Sequence, residues 1–181
     1  ITHGWLLSQH HDVSWLVRAD RADFYGEPFE LRVHDLRPGR RDTTATVSLT
    51  LVTSIAPDLY DAVLVMVPGG SLADVLPVLD GAGTDVPVVL MLNHWNLAGA
   101  LGGSSEPRAN RLLGFPSQVG GGRHGHRLSV TVFPRGTVLE AGTANKKAAL
   151  DKAEALLASG GLTVRRQRRM PDWLAVHSMQ Q

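Results

Sequence analysis

The stretch ITHGWLLSQHHDVSWLVR, residues 1–18, decides the fold. Gly4, Leu6 and Leu7, with the polar residues that run to His11, suit the buried and exposed faces of one short helix. Asp12-Val13-Ser14-Trp15-Leu16-Val17 then reads as a strand ending at Arg18. A short helix that feeds directly into a strand is the second half of a βαβ unit. The residues begin with Ile1, inside that helix, and carry no G-x-G-x-x-G. The reading therefore expects a unit without its first strand and without the glycine turn that precedes the helix.

Working outward, residues 29–33 alternate and read as a strand, while residues 44–52 fit either another strand or an irregular extended stretch. Residues 61–67 form a continuous apolar run, the pattern of a central parallel strand covered on both faces. Pro68-Gly69-Gly70 ends it, and Ser71 stands where an N-cap would open a helix to about Leu79. Residues 86–92 read as a second buried strand closed by Asn93. Residues 97–102 are expected as a short helix or loop, ahead of a polar stretch at 103–110. Residues 111–115 are strand-like, and residues 120–125 are expected as a flexible glycine loop. Residues 127–133 and 137–139 suggest a hairpin around Pro134-Arg135-Gly136. Residues 144–159 are the clearest helix, ended by Gly160-Gly161, and residues 162–166 make a short strand. Pro171 then opens a helix that carries Trp173 and His177.

This alternation predicts an α/β fold, a Rossmann-like and mostly parallel sheet lacking its first strand. Residues 1–169 are expected to form the nucleotide-binding domain, and residues 170–181 the first helix of a helical C-terminal domain. The chain has 181 residues, 43% hydrophobic and 19% charged, which suits a soluble domain with a sizeable core. A net charge of +1 gives no reason to expect nucleic acid or a membrane surface as partner. The basic runs at 37–41 and 165–169 read as solvated loops, with binding of phosphate or acidic ligands as the alternative. The absence of cysteine removes disulfides, thiolate metal sites and cysteine nucleophiles, and fits a cytoplasmic location.

Ligands of an open parallel sheet bind beyond the carboxyl ends of its strands. That rule selects Arg18, the Pro68-Gly69-Gly70 turn and Asn93. Arg18 stands where an acidic residue would accept the ribose hydroxyls of NAD, with Arg21 close behind. A guanidinium forms paired hydrogen bonds to a phosphate, so the cofactor expected is NADP; a surface arginine in a loop would read the same way. Gly69-Gly70 permits close backbone approach by a ligand or is a plain tight turn. Asn93 fits a ribose or substrate contact, or a loop cap. The eight histidines show no zinc spacing, since neither His10-His11 nor His124-x-His126 has a carboxylate placed to join it. No metal is expected. A nucleophile elbow and a phosphate-binding P-loop are both absent, which argues against hydrolase and kinase readings. Trp173 and His177 lie four apart and share one helix face. That face either meets a ligand cleft or packs at a domain boundary.

The ordered set resembles the N-terminal domain of the ketopantoate reductase (2-dehydropantoate 2-reductase) family, truncated at both ends. Its pieces are Gly4-Trp5-x-Leu7-Ser8-Gln9, then His11-Asp12-Val13 and Leu16-Val17-Arg18. They continue with Tyr60–Val65, the strand ending in Asn93, Leu113-Gly114-Phe115-Pro116, and Asp172-Trp173-Leu174 with His177. The resemblance implies an NADP-binding Rossmann domain followed by a helical domain, and hydride transfer from NADPH to the carbonyl of a 2-oxo acid. It places Arg18 at the 2′-phosphate, Asn93 at the nicotinamide-side ribose or the substrate, and the Gly120 region at the cofactor edge. On this resemblance the family's third motif glycine would fall immediately before Ile1, so the 181 residues alone are expected to bind dinucleotide poorly and to be inactive. A homodimer through the C-terminal domain is the oligomer it suggests. Three positions depart from the pattern. Pro68 stands where the family has a lysine, and Trp173 and His177 stand at its catalytic lysine and at an asparagine four residues later. A protonated His177 could donate to the substrate oxygen in the lysine's stead. The alternative reading is a dinucleotide-binding module, or a degenerate relative, without reductase activity.

Overall fold

Alternation at residues 29–35 and unbroken hydrophobicity at residues 88–91 call for two different sheets, and the structure contains both. The computed structural model describes residues 1–57, 59–93 and 108–179. Its elements fall into two compact units.

The first unit comprises Ile1–Ser54, Ser117–Gly136 and Leu157–Thr163. Helix α1 (Thr2–Ser8) buries His3, Leu6 and Leu7. Strand β1 (Trp15–Leu16) pairs in parallel with β4 (Leu51–Val52), Trp15 opposite Leu51. A Cβ on Gly4 would sit 2.8 Å from the Trp15 indole, so the absence of a side chain lets α1 lie against that ring. After the short helix α2 (Ala22–Gly26) comes a four-stranded sheet in the order β3-β2-β9-β8. Its members are β2 (Phe29–Asp35), β3 (Thr43–Val47), β8 (Val119–His124) and β9 (Arg127–Val132). Strands β2 and β9 run parallel with Leu31 opposite Leu128. The period of two sends Phe29, Leu31, Val33, Leu128, Val130 and Val132 inward and leaves Arg32, His34 and Ser129 exposed.

The second unit comprises Ile55–Pro116, Thr137–Leu156 and Val164–Gln181. Strands β5 (Val63–Val65), β6 (Val88–Met91) and β7 (Arg111–Phe115) are parallel neighbours. Strand β10 (Thr137–Glu140) pairs antiparallel with β7, and β11 (Val164–Gln167) pairs in parallel with β10. The order is β11-β10-β7-β6-β5. Helices α3 (Leu72–Leu79), α4 (Lys147–Ser159) and α5 (Met170–Met179) complete the elements. All four residues of β6 are buried, as in a strand covered on both faces. Leu72, Leu79, Leu90, Leu92, Phe115, Val138, Met170 and Leu174 share one apolar cluster.

The fold class is α/β with mostly parallel pairing, as the alternation of elements predicts. Four local expectations are corrected. Residues 120–125 are not a loop: residues 119–124 form β8, paired antiparallel with β9. The expected hairpin does not form, because β9 pairs with β2 and β8 while β10 pairs with β7 and β11. The run at 61–67 yields a three-residue strand at an edge of its sheet among the described residues, not a central one. Ser71 occupies the N-cap position of α3, but its side chain makes no capping hydrogen bond. Residues 44–52 resolve into β3 and β4. The helix or loop expected at 97–102 lies outside the described residues.

Candidate active site on the strand ends

In the second unit, β5 leads into Met66, β6 leads through Leu92 into Asn93, and β7 ends on Phe115. Helix α5 reaches the last two. Pro171 suits its first turn, where the missing N–H costs nothing, and Asp172 in the same turn suits the positive end of the helix dipole. Arg169 pairs with Asp172 at 2.6 Å just at the helix start. One turn on, Leu174 is fully buried and anchors the helix in the core.

That anchoring turns Trp173 and His177 toward Phe115. The indole and imidazole lie nearly parallel, 8° apart with centroids at 4.9 Å. Phe115 meets both edge-on, at 5.3 Å from Trp173 and 4.4 Å from His177. The Ser178 hydroxyl lies 2.9 Å from Asn93 Oδ1 and 2.8 Å from the Leu174 carbonyl oxygen. So α5 is held against the end of β7 by aromatic contact and against the end of β6 by a polar one. Trp173 and His177 keep part of their surface in solvent. Together the groups offer an amide, an imidazole and an aromatic wall. An imidazole can pass a proton to a developing alkoxide, which indole cannot.

The spacing of four between Trp173 and His177 correctly places them on one face. Phe115 and Ser178 are the partners sequence reasoning missed. Phe115 closes a strand, so the strand-end rule that selected Asn93 could have found it. Ser178 carries no signal of its own.

In the first unit, Arg18 directly follows Val17 beyond β1, as expected for a residue at a strand end. Its Nη2 lies 3.1 Å from Asp20 Oδ2, and Arg21 Nε lies 4.0 Å from the same oxygen. Two guanidinium groups thus share one carboxylate, and all three side chains are mostly exposed. Exposed ion pairs of this kind are worth about 0–1 kcal/mol, so either arginine exchanges partners readily. Gly120 lies inside β8 opposite Thr131, and a Cβ there would come within 3.2 Å of the Phe133 ring. The structure therefore brings Arg18 and Arg21 together around Asp20, and joins Asn93 to the helix that carries His177. Gly120 stands in β8, in the four-stranded sheet of the first unit. The Gly69-Gly70 turn is a short 3-10 segment ahead of α3, with open space beside Gly70.

Among the described residues no group of three or more His, Asp or Glu side chains could hold a metal ion. No described helix is long and apolar enough to cross a membrane.

No protein-family model and no curated protein matches the sequence. Solved structures do match its fold. A ketopantoate reductase from Ralstonia eutropha superposes with a TM-score of 0.64 at 17% identity, covering 95% of this chain and 54% of that one. A 2-dehydropantoate 2-reductase from Geobacter metallireducens gives 0.60 at 15% identity, covering 92% and 54%. D-mandelate dehydrogenase in complex with NADH and anilino(oxo)acetate gives 0.63 at 18% identity, covering 93% and 53%. The chain spans about half the length of these enzymes. Its fold is the one they share.

Proposed function

We propose that the protein is an NAD(P)-dependent oxidoreductase resembling ketopantoate reductase, which transfers a hydride from NADPH to the carbonyl of a 2-oxo acid. The observation that carries this reading is α5 held against the ends of β6 and β7. It puts His177 beside Phe115, and Asn93 one hydrogen bond from Ser178, at the end of the sheet where ligands of this architecture bind. The likeness in fold to reductases and to a mandelate dehydrogenase supports it.

The residues fit a phosphorylated dinucleotide. Arg18 and Arg21 against the single carboxylate of Asp20 leave one positive charge in excess, which suits a 2′-phosphate better than ribose hydroxyls. When bound, the nicotinamide supplies the hydride. In the second unit Asn93 would orient the nicotinamide-side ribose or the substrate, and His177 would donate the proton that the reduced oxygen takes up. The role of Gly120 at the cofactor edge rests on the family resemblance alone. The neighbouring indole of Trp173 holds the imidazole ring in plane. No lysine stands in that pair, so the proton source is the histidine.

His177→Ala in the full-length protein should lower turnover of 2-oxo acids by at least about a hundredfold. NADPH affinity should stay within about threefold. Unchanged turnover would remove His177 from the chemistry. A second reading rests on Trp173: indole carries no charge to polarise a carbonyl, which favours a binding module without catalysis. NADPH binding without oxidation against any 2-oxo acid would select that module.

A further inference from the structure

The ends of β5, β6 and β7 carry apolar or neutral groups: Met66, partly exposed, then Asn93 and Phe115. The helix laid against two of them presents an indole and an imidazole stacked in one plane direction, with Phe115 closing their edge. A short aliphatic substrate needs little more than a hydrogen-bonding pair here. Three rings within 5.3 Å of one another, two of them still partly open to solvent, provide something different. They offer a flat, polarisable surface beside a proton donor. Rings prefer such surfaces, because offset stacking and edge contacts add to the apolar area buried.

Resting on the functional reading above, we propose that the substrates are 2-oxo acids bearing a planar aromatic side chain, and that Trp173 is the residue that selects them. The aryl group packs against the Trp173–His177 stack. The carbonyl oxygen then lies toward the His177 ring nitrogens, and the amide of Asn93 completes the polar side. Trp173 thus does for specificity what it cannot do as an acid.

The test is a substrate comparison on the full-length protein with NADPH: phenylglyoxylate and phenylpyruvate against 2-oxobutyrate and 2-oxoisovalerate. The aryl acids should have kcat/KM at least about tenfold higher. Trp173→Phe should keep that ratio within about threefold, and Trp173→Ala should lower it about tenfold or more, mainly through KM. A wild-type ratio at or below one overturns the proposal while leaving the reductase reading intact. So does a ratio that Trp173→Ala does not move. Equilibrium binding of phenylglyoxylate and 2-oxobutyrate, followed by ligand-observed NMR, separates the two claims. Preferential aryl binding without turnover would overturn reduction and keep aryl recognition. No preference in either assay overturns aryl recognition.

Discussion

Arg18 stands just beyond β1, at the strand end where the sequence pattern puts it. It was legible because a strand end is a local feature: an alternating run stops, and the next side chain stands at the rim. On the proposed reading its partner Asp20 changes the detail, since a phosphate would have to win the guanidinium from that carboxylate. Arg18→Ala in the full-length protein should therefore weaken NADPH binding about tenfold and leave NADH binding within about twofold, as read by fluorescence titration. Equal losses for both would show that Arg18 does not read the 2′-phosphate. Gly121 is the opposite case. Its neighbourhood of glycines reads as a loop, because glycine punctuates turns. In the structure Gly121 of β8 pairs with Val130 of β9, at φ 153°, and a Cβ would fall 2.3 Å from the Ser129 carbonyl oxygen. The glycine permits a close cross-strand approach, which no single-strand pattern can reveal. Gly121→Ala should destabilise the protein by about 2 kcal/mol or more, a fall readable as a lower urea midpoint.

Helix α5 could be read as an element, but its contacts could not. Helical spacing gives the shared face of Trp173 and His177. Nothing local announces that Phe115, about 60 positions upstream, and Asn93, 85 positions before Ser178, will meet it. Its docking depends on Leu174, fully buried, and Met170, 1% exposed. Leu174→Ala should cost about 2–5 kcal/mol and loosen the aromatic stack along with the helix. Near-ultraviolet circular dichroism should lose intensity in the mutant; a full-strength spectrum would argue that the stack holds without that anchor. The absent hairpin between β9 and β10 teaches a related lesson. Pro134-Arg135-Gly136 is a sound turn signal, but the flanking strands differ in pattern. Strand β9 buries alternate residues, as one-sided sheets do, whereas Thr137, Val138 and Leu139 in β10 are all buried. A strand covered on both faces belongs beside β7 and β11. That difference in burial was present in the sequence and outweighs the turn.

Across the whole chain, the division into two units escapes sequence reading because each unit collects three separated segments. Its acid response, however, follows from a few buried groups. His3 is buried with no partner for Nε2, and burial holds its pKa down to about 4. Its unfolded value lies near 6.5, so the unfolded chain binds the extra proton first. The stability tied to neutral His3 is complete above about pH 6.5 and drains away as the pH falls toward 4, by about 3 kcal/mol in all. A second contribution comes from Asp35. Hydrogen bonds from the Arg37 guanidinium and backbone hold its carboxyl below the usual carboxylate range. Arg37 also donates to the Gly161 carbonyl at 2.8 Å, so this pair ties β2 to the segment after α4. A carboxyl with a depressed pKa stabilises the fold above its unfolded value and loses that contribution as the pH drops through the folded one. The two windows are separate, which makes them testable apart. His3→Leu should flatten the fall in Tm between pH 6.5 and 4 while leaving the steeper loss below pH 4. Asp35→Asn should lower Tm at neutral pH and remove most of that lower limb. A wild-type Tm that stays level from pH 6.5 to 4 would mean that His3 reaches solvent in the folded chain.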